Sequence, residues 1–173
     1  MARADFTPLD PRIINTRTFD CGKDAINIYL RRFAAKNMAL NLNRTYVLPA
    51  PPVGTASKSS VVAYYTLALQ TLQRQEMPDP TRLPRYPLPV ILLAQLGVDR
   101  RFQGQGLGAK TLISALRHAY RVAAKTDNMP ALGVILDVLD KDALRFYESY
   151  EFFAPLTDQP MRLFCPMAAL ANL

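Results

Sequence analysis

Histidine and cysteine are nearly missing from this chain: His118 is the only histidine, and Cys21 and Cys165 are the only cysteines. That scarcity excludes several chemistries at once. A zinc centre draws three or four His, Cys or carboxylate ligands at short spacing, and neither a C-x-x-C pair nor a histidine cluster occurs here. A Ser–His–Asp hydrolase would have to recruit His118, and no G-x-S-x-G elbow exists to partner it. His118 instead reads as a rim residue of a helix, and the two cysteines as small hydrophobes rather than a disulfide. Long apolar runs are missing too: none approaches the ~20 residues that span a bilayer. The opening stretch MARADFTPLDPR lacks the apolar core of a secretory signal. Internal repeats and low-complexity tracts are also lacking. These absences predict a single domain over 1–173, cytoplasmic, with no metal and no membrane partner.

Acidic residues are outnumbered. Lys and Arg total 21 against 14 Asp and Glu, a formal charge of +7. An excess of this sign fits an anionic partner. Half of the residues are hydrophobic, ordinary for a globular chain with its own core.

The chain is organised around 90–124. Val90–Val98 is a continuous apolar run and predicts a buried strand. Asp99–Gln103 is a polar connection, and Gly104, Gly106 and Gly108 lead into an amphipathic pattern. Leu112, Leu116, Ala119, Tyr120 and Ala123 recur at helical spacing, between Lys110, Ser114, Arg117, Arg121 and Lys125. Strand, glycine loop and helix in this order hold phosphate. Glycines let the backbone approach a ligand, and the helix N-terminus offers unpaired N–H groups at its positive dipole end. Arg100 and Arg101 add charge of the right sign.

Two families share this local physics. Gly104-x-Gly106-x-x-Ala109 satisfies the dinucleotide fingerprint. Against it, the glycines begin six residues past the strand, only 65 residues follow Gly108, and the candidate ribose acid, Asp137, comes late. More of the chain fits another pattern. Arg101-x-x-Gly104-x-Gly106 resembles the R/Q-x-x-G-x-G/A loop of the GNAT superfamily of acetyl-CoA-dependent N-acetyltransferases. Ala143-x-x-Phe146-Tyr147-Glu148, about forty residues on, resembles that family's A-x-x-F/L-Y-E segment. Phe19-Asp20-Cys21-Gly22, Tyr64-Tyr65-Thr66-Leu67, Leu83-Pro84-Arg85-Tyr86-Pro87 and Arg162-Leu163-Phe164-x-Pro166-Met167 are similar to the TacT/AtaT-type toxin branch, from about Phe19 to Met167.

The resemblance implies an α/β (α+β) GNAT fold: a mixed central sheet of about six to seven strands, splayed at the cofactor site, with about four helices. It implies acetyl-CoA as cosubstrate and aminoacyl-tRNA as the substrate, acetylated on its α-amine so that translation stops. The alternative is a GNAT enzyme acting on a small amine or a protein N-terminus; a third is a binding module without catalysis. Backbone groups of Leu96 and Val98 would hold the pantetheine arm and the acetyl oxygen. Arg101, Gln103, Gly104, Gln105, Gly106, Leu107 and Gly108 would hold the pyrophosphate. Tyr147 is the expected general acid, since a phenol with pKa ~10 stays protonated at neutral pH. No general base stands out. Branch habit implies a ribbon-helix-helix antitoxin, a toxin–antitoxin complex on operator DNA, and a homodimer.

Elsewhere, a short strand is expected within Arg12–Phe19, then a helix capped by Asp20 with Ile26, Leu30, Phe33 and Ala34 buried. Arg44–Leu48 and Val61–Leu69 should form a hairpin. Leu72–Pro89 carries Pro78, Pro80, Pro84, Pro87 and Pro89, which forbid regular sheet or a long helix. Candidate RNA contacts are Arg31, Arg32 and Lys36 on the first helix and Arg74, Arg82 and Arg85 in the proline segment. Val134–Val138 reads as a strand parallel to Val90–Val98, and Asp140 as the cap of helix Lys141–Tyr150. Glu151 stands where a helix-ending glycine is usual, so strain is expected there. Phe152–Ala154 and Met161–Cys165 close the sheet.

Overall fold

A computed structural model describes residues 5–124, 129–156 and 158–173. Lys125, placed by the sequence on the long helix, lies outside them. Contacts group the chain into two compact units: Met1–Ala68 with Gln95–Ala115, and Leu69–Ala94 with Leu116–Leu173. The divisions fall inside two strands and the long helix rather than in linkers.

In the first unit, β1 (Thr7–Pro8) and β2 (Ile14–Asn15) precede a helical stretch of three consecutive parts. These are α1 (Asp24–Ile28), a π-helical turn (Tyr29–Phe33) and α2 (Ala34–Ala39). Strands β3 (Arg44–Pro49) and β4 (Ser59–Leu72) form the expected antiparallel hairpin, from Arg44 opposite Leu67 to Pro49 opposite Val61. β1 joins β3 antiparallel and β2 joins β4 parallel. Leu9, Ile14, Phe19, Leu30, Ala34, Val47, Val61 and Tyr64 make the core between helix and sheet. Phe33 is not in it: the π turn lengthens the helical repeat, so position 33 slips off the buried stripe and is 49% exposed. Asn27 is buried there instead, accepting from the Cys21 N–H at 2.8 Å and donating to Asp20 Oδ1 at 2.8 Å. Asp20 is therefore a brace ahead of the helix and not its cap; the cap position is Lys23, whose side chain makes no capping hydrogen bond.

The second unit carries β5 (Leu88–Val98) through Ala94, β6 (Gly133–Asp137), α4 (Lys141–Glu148), β7 (Ala154–Leu156) and β8 (Gln159–Pro166), in strand order β5-β6-β8-β7. β6 is parallel to β5, and β8 is antiparallel to both β6 and β7. β5 and β6 pair at Ile91–Val134 and Leu92–Ile135. The proline segment folds as two 3-10 turns, Arg74–Glu76 and Pro80–Arg82. Its Met77 is buried with Leu72, Leu88, Val90, Ile135, Leu156 and Phe164.

Among the described residues eight strands are present against the six to seven expected, because β1 and β2, two residues each, are too short to leave a periodic signal. Strand β7 starts at Ala154, and Phe152 lies in the turn before it. Among the described residues only Asn41 and Asp158 are non-glycines with positive φ, so the expected strain at Glu151 does not arise. The helix runs out in ordinary right-handed geometry at Ser149.

Gly133 is fixed by space. A Cβ there would lie 2.2 Å from the Cys165 carbonyl oxygen and 2.7 Å from the Phe164 ring, against backbone that cannot yield. Gly133→Ala should lose about 1–3 kcal/mol of stability in urea denaturation, as overpacked cores do.

Candidate functional site

The glycine loop is built as a braced corner. Asp99 follows β5 with its backbone N–H donating to the Val62 carbonyl at 2.8 Å, and the residue is 1% exposed. Its carboxylate accepts from the Asp20 N–H at 3.1 Å, the Arg101 N–H at 2.9 Å and the Arg101 guanidinium at 2.9 and 3.2 Å. Burial alone would raise its pKa, but the Arg101 guanidinium and the two backbone N–H groups outweigh it and hold the carboxyl below its usual value. Arg101 also lies over the Phe102 ring at 5.4 Å. Its charge is thus committed to Asp99 at the base of the loop. Arg100 pairs with Asp20 at 3.6 Å. Gln103 donates its side-chain amide to the carbonyls of Val98 at 2.8 Å and Cys21 at 3.0 Å, lacing loop to strand end.

Above this base the backbone is open. Gly104 and Gly106 have φ of +79° and +78°, and a Cβ built on either meets nothing within 4 Å. The glycines serve the left-handed conformation and leave an open cradle over them. Helix α3 (Leu107–Ala123) starts directly after, and its first intrahelical bond runs from Lys110 N–H to the Gly106 carbonyl at 3.1 Å. The N–H groups of Leu107, Gly108 and Ala109 therefore precede the ladder, as an anion site requires. Leu107 packs with Leu48, Ala50, Val62, Ala63, Val98 and Phe102, which anchors that helix end. This cradle suits a pyrophosphate. Leu96 is half-buried and Val98 buried at the end of β5. Gln105 is exposed.

In the second unit, Asp140 caps α4 as expected, accepting from Ala143 N–H at 2.9 Å. The helix presents Tyr147, 8% exposed, within a closed ring of five aromatics. Successive centroids are 5.1 Å (Phe146–Tyr147), 5.8 Å (Tyr147–Phe153), 5.0 Å (Phe153–Phe152), 5.6 Å (Phe152–Tyr150) and 5.6 Å (Tyr150–Phe146). Burial, reinforced by the neighbouring Tyr150, pushes the Tyr147 hydroxyl well above its ordinary pKa. It stays a neutral proton donor. His118 is half-buried on α3, and burial together with Arg121 pushes its pKa down, so it is neutral at pH 7. Both cysteines are free, with Cys165 buried and pushed up to about 12 by that burial.

Arg162 is a residue whose role the sequence did not reveal. It lies opposite Asp137 across the β6–β8 ladder and bonds that carboxylate at 2.8 and 3.3 Å. It also donates to Gln70 at 3.0 Å and sits 3.9 Å from Glu76, which in turn accepts from Gln159 at 3.2 Å. One arginine thus ties β4, the proline segment, β6 and β8. The only sequence signal was a single arginine in an otherwise apolar closing strand.

The six candidate RNA contacts divide the same way in each unit. Arg31 donates to the Phe19 carbonyl and Arg74 to the Leu83 carbonyl at 3.1 Å, so both hold backbone. Arg32, Lys36 and Arg85 are exposed with no ion pair among the described residues, and Arg82 has only a 3.9 Å contact with Asp79. Among the described residues no group of three His, Cys, Asp or Glu could hold a metal, and no helix is long and apolar enough to cross a membrane.

No protein-family model matches the chain. It is 31% identical over 148 residues to a tRNA-acetylating toxin of Mycobacterium tuberculosis (strain ATCC 25618 / H37Rv), spanning 84% of this chain and 82% of that one. Over 182 aligned positions it is 28% identical to a probable toxin TacT of Sinorhizobium fredii (strain NBRC 101917 / NGR234), spanning 99% and 96%. Among solved structures, AtaT complexed with acetyl-methionyl-tRNAfMet superposes with a TM-score of 0.81 at 25% identity, over 96% of this chain and 97% of that one. AtaTR bound with acetyl-CoA gives 0.79 at 24% identity, over 96% and 95%. The AtaT–AtaR complex bound to DNA gives 0.71 at 23%, over 96% of each. The fold is that of the GNAT-type N-acetyltransferase toxins, and the chain belongs to the tRNA-acetylating toxin family.

Asp99 gives the loop a pH dependence of definite sign. Its folded pKa is depressed, so its contribution is complete above the unfolded carboxylate value near ~3.9 and is lost as pH falls through the lower folded value. The protection of the 100–108 amides against hydrogen exchange, relative to their intrinsic rates, should fall in acid. In Asp99→Asn that protection should be low already at pH 7 and lose its acid dependence, with weakened acetyl-CoA binding read by calorimetry.

Proposed function

We propose that this protein is an acetyl-CoA-dependent N-acetyltransferase toxin that acetylates the α-amino group of the amino acid on aminoacyl-tRNA. The observation that carries the reading is the open Gly104–Gly106 cradle at the start of α3, in a chain 31% identical to a tRNA-acetylating toxin. Acetyl-CoA supplies the acetyl group as a thioester, and the products are N-acetyl-aminoacyl-tRNA and CoA.

The chain's own residues divide the work. Backbone N–H groups from Gly104 to Ala109 bind the pyrophosphate, with Arg101 and Gln103 setting the loop rather than bonding the cofactor. Backbone groups of Leu96 and Val98 orient the pantetheine arm and polarise the thioester carbonyl as that oxygen gains charge. The substrate α-amine, with pKa near ~8, is substantially neutral at physiological pH and needs little help from a base. As nitrogen bonds the acetyl carbon and the carbon–sulfur bond breaks, Tyr147 gives its hydroxyl proton to the departing sulfur; the amine's surplus proton passes to solvent, and solvent returns a proton to the Tyr147 phenolate. The exposed Arg32, Lys36, Arg82 and Arg85 supply charge for the RNA.

A cytoplasmic setting follows from a charged-tRNA substrate. By kinship with AtaT, solved with AtaR and with DNA, the partners we infer are a ribbon-helix-helix antitoxin, operator DNA bound by the toxin–antitoxin complex, and a second copy of the chain.

Radiolabelled acetyl-CoA offered with charged tRNA, deacylated tRNA and small amines tests the reading. Label should enter charged tRNA alone and leave on mild ester hydrolysis; label on small amines or polypeptide with none on tRNA overturns it. Tyr147→Phe should fold and bind acetyl-CoA normally but lose about 10²–10⁴-fold in kcat, the span of general acid catalysis. A near-native kcat would reduce Tyr147 to a packing residue.

A further inference from the structure

A cleft of about 580 Å³ in the first unit, with a mixed polar and apolar lining, takes no part in the chemistry above. Pro11, Ile14, Asn15, Thr16 and Arg17 form one wall, and Ala56, Ser57 and Lys58 the other. The walls are set by backbone. β2 pairs with the start of β4 at Ile14–Ser59, the Ser59 N–H donates to the Ile13 carbonyl at 3.0 Å, and the Arg17 N–H closes a turn onto the Asn15 side chain at 3.0 Å. Lys58 is held in place by one bond, from its ammonium to the Pro11 carbonyl at 2.7 Å. An ammonium has three donors, so two remain. Arg17 is exposed, and its guanidinium has no ion pair among the described residues. Arg12, Arg100, Arg101 and Arg162, by contrast, each face a carboxylate.

The lining selects a ligand class. Two cations and two hydroxyl residues, Thr16 and Ser57, are among the lining residues, and no acidic residue lines the cleft. The carboxylate that Lys58 acts on from outside it, Asp10, is paired with Arg12. An anion is favoured. No aromatic ring lines it either, so a nucleobase finds nothing to stack on. An anionic polymer gripped this way is held by its backbone and not read by sequence.

We propose that this cleft seats the phosphodiester backbone of the substrate RNA, with Arg17 and Lys58 as the contacts. The proposal rests on the charged-tRNA reading of the function. It adds a point of affinity that is indifferent to which amino acid the RNA carries.

Salt dependence tests it, because removing one cation that pairs with a phosphate flattens log K against log salt by about one. Total tRNA binding is measured from about 50 to 200 mM salt, where such slopes are steep, for the wild type, Arg17→Ala and the Arg17→Ala/Lys58→Ala double variant. Arg17→Ala, which removes an exposed side chain without an ion pair, should flatten the slope by about one, and the double variant by about two. Acetyl-CoA affinity should not change in either variant, and thermal unfolding should not change in Arg17→Ala. Wild-type slopes in both variants would overturn the proposal. Inorganic phosphate binding the wild type below millimolar concentration, with tRNA slopes unmoved by either variant, would assign a small phosphate ligand instead and overturn it as well. Label transfer to charged tRNA is followed in parallel. Its absence in the wild type refutes the function, whereas unchanged slopes with transfer intact refute only the cleft.

Discussion

One buried carboxylate sets the geometry of the glycine loop between β5 and α3. Asp99 gathers the N–H of Asp20, the N–H of Arg101 and the Arg101 guanidinium, while its own N–H holds Val62. Three chain segments distant in sequence are thereby fixed at the end of β5. A buried ion is costly unless every lone pair is engaged, and here the engagement is nearly complete. The two left-handed glycines then follow from a rigid base instead of from a floppy connection. The arginine of the family loop pattern acts in this chain through that base: its charge is neutralised at Asp99, and the backbone is what faces the open cradle.

The same economy runs through the other cations. Arg31 and Arg74 bond backbone carbonyls, Arg100 faces Asp20, and Arg162 joins four segments around Asp137 and Glu76. Subtracting these leaves a smaller set of solvent-facing charges: Arg17, Arg32, Lys36, Lys58 and Arg85 among them. Net charge alone therefore overstates the surface available to an anionic partner. Solvent-facing cations, those on the first helix, in the proline segment and in the cleft among them, generate the field reaching beyond the molecule.

Much of this was legible in the sequence. Val90–Val98 and Val134–Leu136 are dense apolar runs, Gly104-x-Gly106 precedes a clean amphipathic helix, and Asp140 stands at a cap position; each signal is local and strong. The misses have physical causes. The π turn at Tyr29–Phe33 changes the helical repeat without any residue that announces it, so the plain helical period points Phe33 inward. Asp20 has the chemistry of a cap, but the helix starts after Lys23, whose side chain makes no cap bond. Strands of two residues carry no periodicity. The roles of Asp99, Gln103 and Arg162 depend on partners 79, 82 and 92 positions away, and no reading along the chain reaches them.

The five-ring enclosure of Tyr147 bears on how a proton would be delivered. Tyr147 makes edge-to-face contacts with Phe146 at 65° and Phe153 at 83°, which restrict its ring. In the role proposed for Tyr147, a ring held by its neighbours would have part of its reorganisation done during folding. Phe153, which touches Tyr147, and Phe152, which touches Phe153, would then support that role without an atom that can react.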